Sequence, residues 1–174
     1  VDISLGDRWH ALATIWACQA GKDVYVEKPG THNLFEGRQM VAAARKYNRM
    51  VQHGTQNRSS PNIRRACELV RNGRIGKIRK VIAANYPSPW NCKLPAQPVP
   101  AGLDWDMWLG PRPMRPYQPN ITPYKFRWWK SYSSQMGNWG VHYMDVIRWM
   151  VGESAPSAIT AHGGKYAVKD DRDI

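Results

Sequence analysis

The chain has 174 residues, 43% hydrophobic and 22% charged, enough apolar material for one large domain or two small ones and too much for a disordered chain. Lys and Arg outnumber Asp and Glu by 25 to 13, a net charge of +12 that by itself invites a nucleic-acid reading, whereas no run of about 18 uncharged apolar residues exists to form a spanning helix. Cys18, Cys67 and Cys92 are widely spaced and odd in number, so neither a disulfide framework nor a zinc cluster is indicated and a reducing, cytoplasmic compartment is expected.

Val1 to Leu5 reads as a buried strand from the middle of a fold and not as a leader, so the chain is expected to be a piece of a longer protein, with any export signal upstream. Asp7 is placed to cap a helix bearing Ala11, Leu12, Ile15, Trp16 and Cys18 near one face, with Gly21 as its stop. Asp23 to Val26 is the next strand, ending at the turn Glu27-Lys28-Pro29-Gly30. Asn33, with Glu36 three residues on, opens a helix to about Tyr47 in the manner of a capping box, and Met50 to His53 is a third strand. Two strand-helix-strand units in succession predict a parallel sheet with right-handed crossovers and functional groups at the strand C-termini.

From Ser60 the pattern changes. Ser60 and Pro61 start a helix to Gly73, and residues 76 to 83 read as a strand opening a second domain. Residues 87 to 123 hold most of the thirteen prolines and read as an ordered extended loop, with a short helical turn over Asp104 to Leu109. A helix over Asn138 to Val151, stopped by Gly152, and a strand over Ser157 to Tyr166 complete the pass.

The basic excess is uneven. Between Arg38 and Lys80 the only acid is Glu68, and residues 124 to 130 alternate bases with aromatics. Such a segment either stacks nucleic-acid bases over a cationic groove or presents solvated basic faces beside core aromatics. No recognised nucleic-acid motif is present, which favours the second reading.

Three places carry chemistry. Lys28, at the C-terminal end of a buried strand, would project into the crevice where doubly wound sheets bind ligands, although Glu-Lys-Pro at a strand end is more often an ordinary salt-bridged turn. On a helix starting at Asn138, an advance of about 100° per residue puts Asn138, His142 and Asp145 in one stripe. That stripe reads either as a general acid/base whose tautomer a neighbour fixes or as a capping Asn before a core histidine; metal ligation is disfavoured because no second His or Cys lies at ligand spacing. Residues 6–10 and 54–58 each follow a strand and offer loop amides to phosphate or ribose, or are only turns.

The segments Asp7-Arg8-Trp9-His10-Ala11, Gln19 to Pro29, Gly54-Thr55-Gln56, Gly73 to Lys77, Trp108 to Pro111 and Asn138 to Asp145, in this order, resemble the Gfo/Idh/MocA oxidoreductases, the family of glucose-fructose oxidoreductase and inositol dehydrogenase. The resemblance implies an α/β chain: the C-terminal half of a Rossmann domain, a doubly wound parallel sheet, over residues 1–57, then part of an α+β open-sheet domain over 58–174. It further implies an NAD or NADP cofactor, hydride transfer to or from a sugar, polyol or related cyclic alcohol, and a homo-oligomeric parent.

By that resemblance Lys28 sits beside nicotinamide and substrate hydroxyl, His142 is the proton acceptor, Asp145 orients it, and Asn138, where many members carry Asp, orients substrate without taking a proton. Leu5, Gly6, His10, Glu27, Lys28, Gln56 and Trp139 are the implied cofactor neighbours, and Lys28, Trp129, Tyr132, Asn138 and His142 the implied substrate neighbours. Leu5-Gly6 departs from the Thr-Pro usual in relatives, which leaves backbone contacts to the cofactor. The family's glycine-rich turn precedes the matching text, so these 174 residues alone are expected to bind dinucleotide poorly. Two further readings stand beside this one: glycoside cleavage by transient oxidation on bound NAD, as some relatives perform, and a non-catalytic basic binding or assembly protein.

Overall fold

A computed structural model describes residues 1–85, 95–122, 124–152, 155–164, 166, 169 and 172. The first 53 residues alternate strand and helix: β1 Asp2–Ile3, α1 Asp7–Gln19, β2 Val24–Val26, α2 Leu34–Lys46 and β3 Val51–His53. The strands form one parallel sheet in the order β1-β2-β3, with Ile3 opposite Val26 and Val26 opposite His53. Parallel neighbours need a crossover, which each helix supplies. Ile3, Cys18, Val24, Val26 and Ala43 make the core beneath it. All three strands therefore end on the same edge, and the residues that follow them, Ser4 to Gly6, Glu27 to Pro29 and Gly54, converge there.

Local signals set the helix ends, with differences from the expected caps. Gly6, not Asp7, is the N-cap of α1; Asp7 is inside the first turn and buried. A carboxylate there suits the positive end of the helix without capping it. Asn33 caps α2 by accepting from the Glu36 N–H at 2.9 Å, but Glu36 reaches back one residue further than a capping box, to the His32 N–H at 2.9 Å. Trp16, expected on the buried face of α1, is half-exposed.

A 3-10 turn, Gln56–Ser59, leads into α3, Pro61–Arg71. Pro61 occupies the first turn as expected, whereas the Ser60 side chain makes no cap bond. The expected strand over 76–83 does not form, nor does the one over the described part of 157–166. Both segments are largely exposed, and among the described residues no neighbouring strand satisfies their backbone groups, so the ladder that defines a strand is missing. Cys92 and the first prolines of the expected extended loop lie outside the described residues.

The rest of that loop carries α4, Trp105–Leu109, which Asp104 caps through the Met107 N–H at 2.9 Å. Trp105, Leu109, Tyr117, Ile121, Trp128, Trp129 and Tyr132 form a second core. The favoured reading of residues 124–130 holds for Trp128 and Trp129, which are buried, but not for Arg127, which is buried instead of solvated, with its guanidinium 3.7 Å from the Tyr124 ring. At the junction of the halves, a π-helical turn, Met136–Gly140, runs directly into α5, Val141–Val151, which ends at Gly152 in the left-handed region. No helix among the described residues is long and apolar enough to cross a membrane.

Candidate active site

Lys28 leaves the end of β2 and its Nζ donates to the Asn138 carbonyl at 3.0 Å. The bond joins the strand edge to the π turn. Glu27 stands beside it, its Oε2 accepting the Lys28 N–H at 3.1 Å. Gly54, leaving β3, makes this approach possible, since a Cβ there would meet Glu27 Cα at 3.2 Å.

His142, in the first turn of α5, stands edge-on to Trp139 with ring centroids 6.2 Å apart. Burial first, and the Lys28 charge next, hold its pKa below the ordinary imidazole value, against a smaller pull upward from Glu27 and Asp145. An imidazole kept neutral at neutral pH beside an ammonium can accept a proton as a negative charge develops nearby.

The other expected members of the stripe are arranged differently. Asn138 lies within the π turn, with its N–H on the Ser134 carbonyl at 2.8 Å; the wider turn breaks the 100° spacing to His142, and what it gives Lys28 is a backbone carbonyl. Asp145 pairs with Arg58, not His142: the two carboxylate oxygens receive Arg58 Nε at 3.0 and 2.9 Å, and Oδ1 also receives Nη2 at 2.8 Å. Trp129 and Tyr132, expected near substrate, are core side chains 2% and 1% exposed, so their rings have no free face. His10, expected near cofactor, is buried with Nδ1 2.6 Å from the Pro29 carbonyl and Nε2 2.9 Å from the Leu5 carbonyl. It ties two strand-end loops together and presents nothing to a ligand. Gln56 is exposed at the start of its 3-10 turn.

One acidic residue at this edge was read only as a cap. Asp7 is buried, hydrogen-bonded to the Ser133 hydroxyl, and lines a cleft of about 420 Å³ with Pro29, Thr31, His32, Ser134 and Gly137. Desolvation raises its pKa, with Ser133, His10 and Lys28 pulling the other way. Its place directly after a strand-end loop was the signal available. Among the described residues no three His, Cys, Asp or Glu side chains are grouped to hold a metal.

Residues 1–55 match the GFO_IDH_MocA model described as the NAD-binding Rossmann fold of an oxidoreductase family, and residues 62–167 match the C-terminal alpha/beta domain model of the same family. The chain belongs to the Gfo/Idh/MocA oxidoreductase family. Among solved structures it is similar to the aldose-aldose oxidoreductase from Caulobacter crescentus complexed with glycerol, at 21% identity and TM-score 0.63 over 88% of this chain and 37% of that one. That likeness concerns the fold. A myo-inositol 2-dehydrogenase from Lactobacillus plantarum aligns at 33% identity over 44% of this chain and 23% of its own, TM-score 0.42. An inositol dehydrogenase homolog from Azotobacter vinelandii, complexed with NADH and myo-inositol, aligns at 28% over 45% and 21%, TM-score 0.43. The chain thus spans between about a fifth and two fifths of the length of these structures. No curated protein matches it.

The model matched by residues 1–55 is that of an NAD-binding Rossmann fold, which supports NAD or NADP as the family's cofactor here, and the strand edge fits that group. Beside Leu5 and Gly6, with Trp9, Trp108 and Phe126 as walls, runs a groove of about 800 Å³. Arg8 is built into its wall, with Nε donating to the Trp108 and Leu109 carbonyls at 2.8 and 3.1 Å and the guanidinium 3.9 Å from the Trp108 ring. Burial lowers the Arg8 pKa to about 10, which leaves it charged at neutral pH. Flat aromatic walls, a buried cation and the N-terminus of a 13-residue helix suit a planar, anionic ligand.

Proposed function

We propose that the parent protein is an NAD(P)-dependent oxidoreductase that interconverts a carbinol and a carbonyl on a sugar, polyol or related cyclic alcohol. The observation that carries this reading is the Lys28 Nζ bond to the Asn138 carbonyl, which brings the ammonium beside the helix that bears His142. When bound, the nicotinamide supplies the two-electron acceptor or donor.

The chain's own residues manage the proton and the charge. His142, held neutral, would take the hydroxyl proton, so the substrate oxygen gains negative charge until hydride leaves its carbon and a neutral carbonyl forms. Lys28 donates to that oxygen, and its ammonium stabilises the developing charge in a partly buried site, where such donors count for more than in water. Holding the substrate between strand edge and helix supplies the orientation that makes the step effectively unimolecular. In the reverse direction the imidazolium returns the proton to the carbonyl oxygen. Residues 1–57 serve cofactor binding and 58–174 supply the facing wall.

In the full-length protein, incubation with NAD or NADP and a panel of inositols, aldoses and acyclic polyols should give reduced cofactor in stoichiometric step with a carbonyl product. Lys28→Ala and His142→Ala should each lower kcat by about a hundredfold or more. Near wild-type turnover in both variants would contradict the mechanism, and glycosidic cleavage without net reduced cofactor would replace it.

A further inference from the structure

Arg58 stands in the 3-10 turn after β3 and takes no part in the proton transfer above. Its Nε and Nη2 grip Asp145 as a two-pronged fork at 2.8 to 3.0 Å, and its guanidinium lies 5.3 Å from the Trp149 ring. His142, Asp145 and Trp149 follow one another at steps of three and four residues on α5, which places them along one face. Arg58 therefore holds that face at two points, about one and two turns beyond the imidazole.

We propose that Arg58 is a positioning residue for His142: its fork on Asp145 fixes the rotation of α5 against the end of β3 and commits the carboxylate to a cation other than the imidazole. The residue matters to catalysis only through the functional reading above, while its placement rests on the contacts just given.

The charged and titratable groups that bear on His142 come from three elements: Lys28 and Glu27 at the end of β2, Asp145 on α5 itself, and His53 at the end of β3. Lys28 opposes the imidazolium, and Glu27 and Asp145 favour it. Arg58 sets a guanidinium against the Asp145 carboxylate, and Asp145 favours the imidazolium with that pair in place. Without Arg58 the carboxylate stands uncompensated near the imidazole and the imidazolium gains. Without Asp145 an unpaired guanidinium remains and the imidazolium loses.

The test is a nuclear magnetic resonance titration of the His142 ring nitrogens in the full-length protein. Arg58→Met should raise the midpoint by about half a pH unit or more, Asp145→Asn should lower it, and Arg58→Lys should stay nearer wild type. The double variant Arg58→Met/Asp145→Asn, which removes both charges, should return toward the wild-type midpoint and carries the test if Arg58→Met alone does not fold. Midpoints that stay put, or that move in the same direction in the two single variants, would overturn the proposal and leave the ion pair a structural tie. If they move as expected while turnover of the wild type is independent of His142, the positioning stands and the dehydrogenase reading falls.

Discussion

Lys28 Nζ sits 3.0 Å from the carbonyl oxygen of Asn138, a residue 110 positions further along the chain. The bond makes the end of β2 and the π turn one unit, and His142 follows two residues after that turn. After burial, the Lys28 charge is also the largest influence opposing an imidazolium at 142. Lys28→Met should therefore raise the His142 titration midpoint in the full-length protein, moving the acid limb of the pH–rate profile upward; an unmoved midpoint would mean that the ammonium does not act on the ring.

Asp7 gives a stability prediction of definite sign. Its folded pKa is raised, chiefly by desolvation. As pH climbs through the ordinary aspartate range, the unfolded chain ionises first and is favoured, so stability is withdrawn until the folded carboxyl also ionises. Asp7→Asn keeps a partner for Ser133 and removes the ionisation. It should be more stable than wild type at neutral pH, with the advantage vanishing in acid below the aspartate range. Urea denaturation at the two pH values checks this, and an acid-only advantage would contradict it.

Gly6 and Arg8 are fitted to each other. A Cβ on Gly6 would run into the Arg8 guanidinium, with Cζ at 3.1 Å and Nη1 nearer still, and Arg8 cannot swing aside without giving up the Trp108 and Leu109 carbonyls. The backbone at Gly6, φ −70°, would accept any side chain, so only Arg8 forbids one. Gly6→Ala should cost about 1–3 kcal/mol, and much less once Arg8→Ala is already in place. Additive costs in the double variant would show that the two residues do not compete for the space.

The strand edge was legible because parallel sheets collect strand ends on one side, and period, turn and cap signals gave the three strands and their helices within a residue or two. Position and residue type marked Lys28 and His142 as candidates only, and the roles proposed for them came from the family resemblance. What escaped the sequence was longer in range. Whether residues 136–140 coil as π or α depends on packing across the junction, and the stripe through Asn138 was drawn with the wrong pitch. Asp145 has a carboxylate that any nearby cation can claim, and nothing in the chain between them tells that Arg58, 87 positions away, reaches it before His142. Trp129 was implied as a substrate neighbour by the family resemblance, yet hydrophobic burial decides such residues, and it belongs with Trp128 to the core. Residues 76–83 have strand composition, but a strand also needs a neighbour.

The proposed proton transfer requires Lys28 and His142 to serve one pocket. The most direct measurement is a double-mutant cycle on kcat/KM in the full-length protein, comparing Lys28→Ala, His142→Ala and the pair together. Two groups that act on the same substrate oxygen are expected to be strongly coupled, so the double variant should lose little more than the worse single one. Losses that multiply independently would show that the amine and the imidazole work apart, and the proposed mechanism would not survive that result.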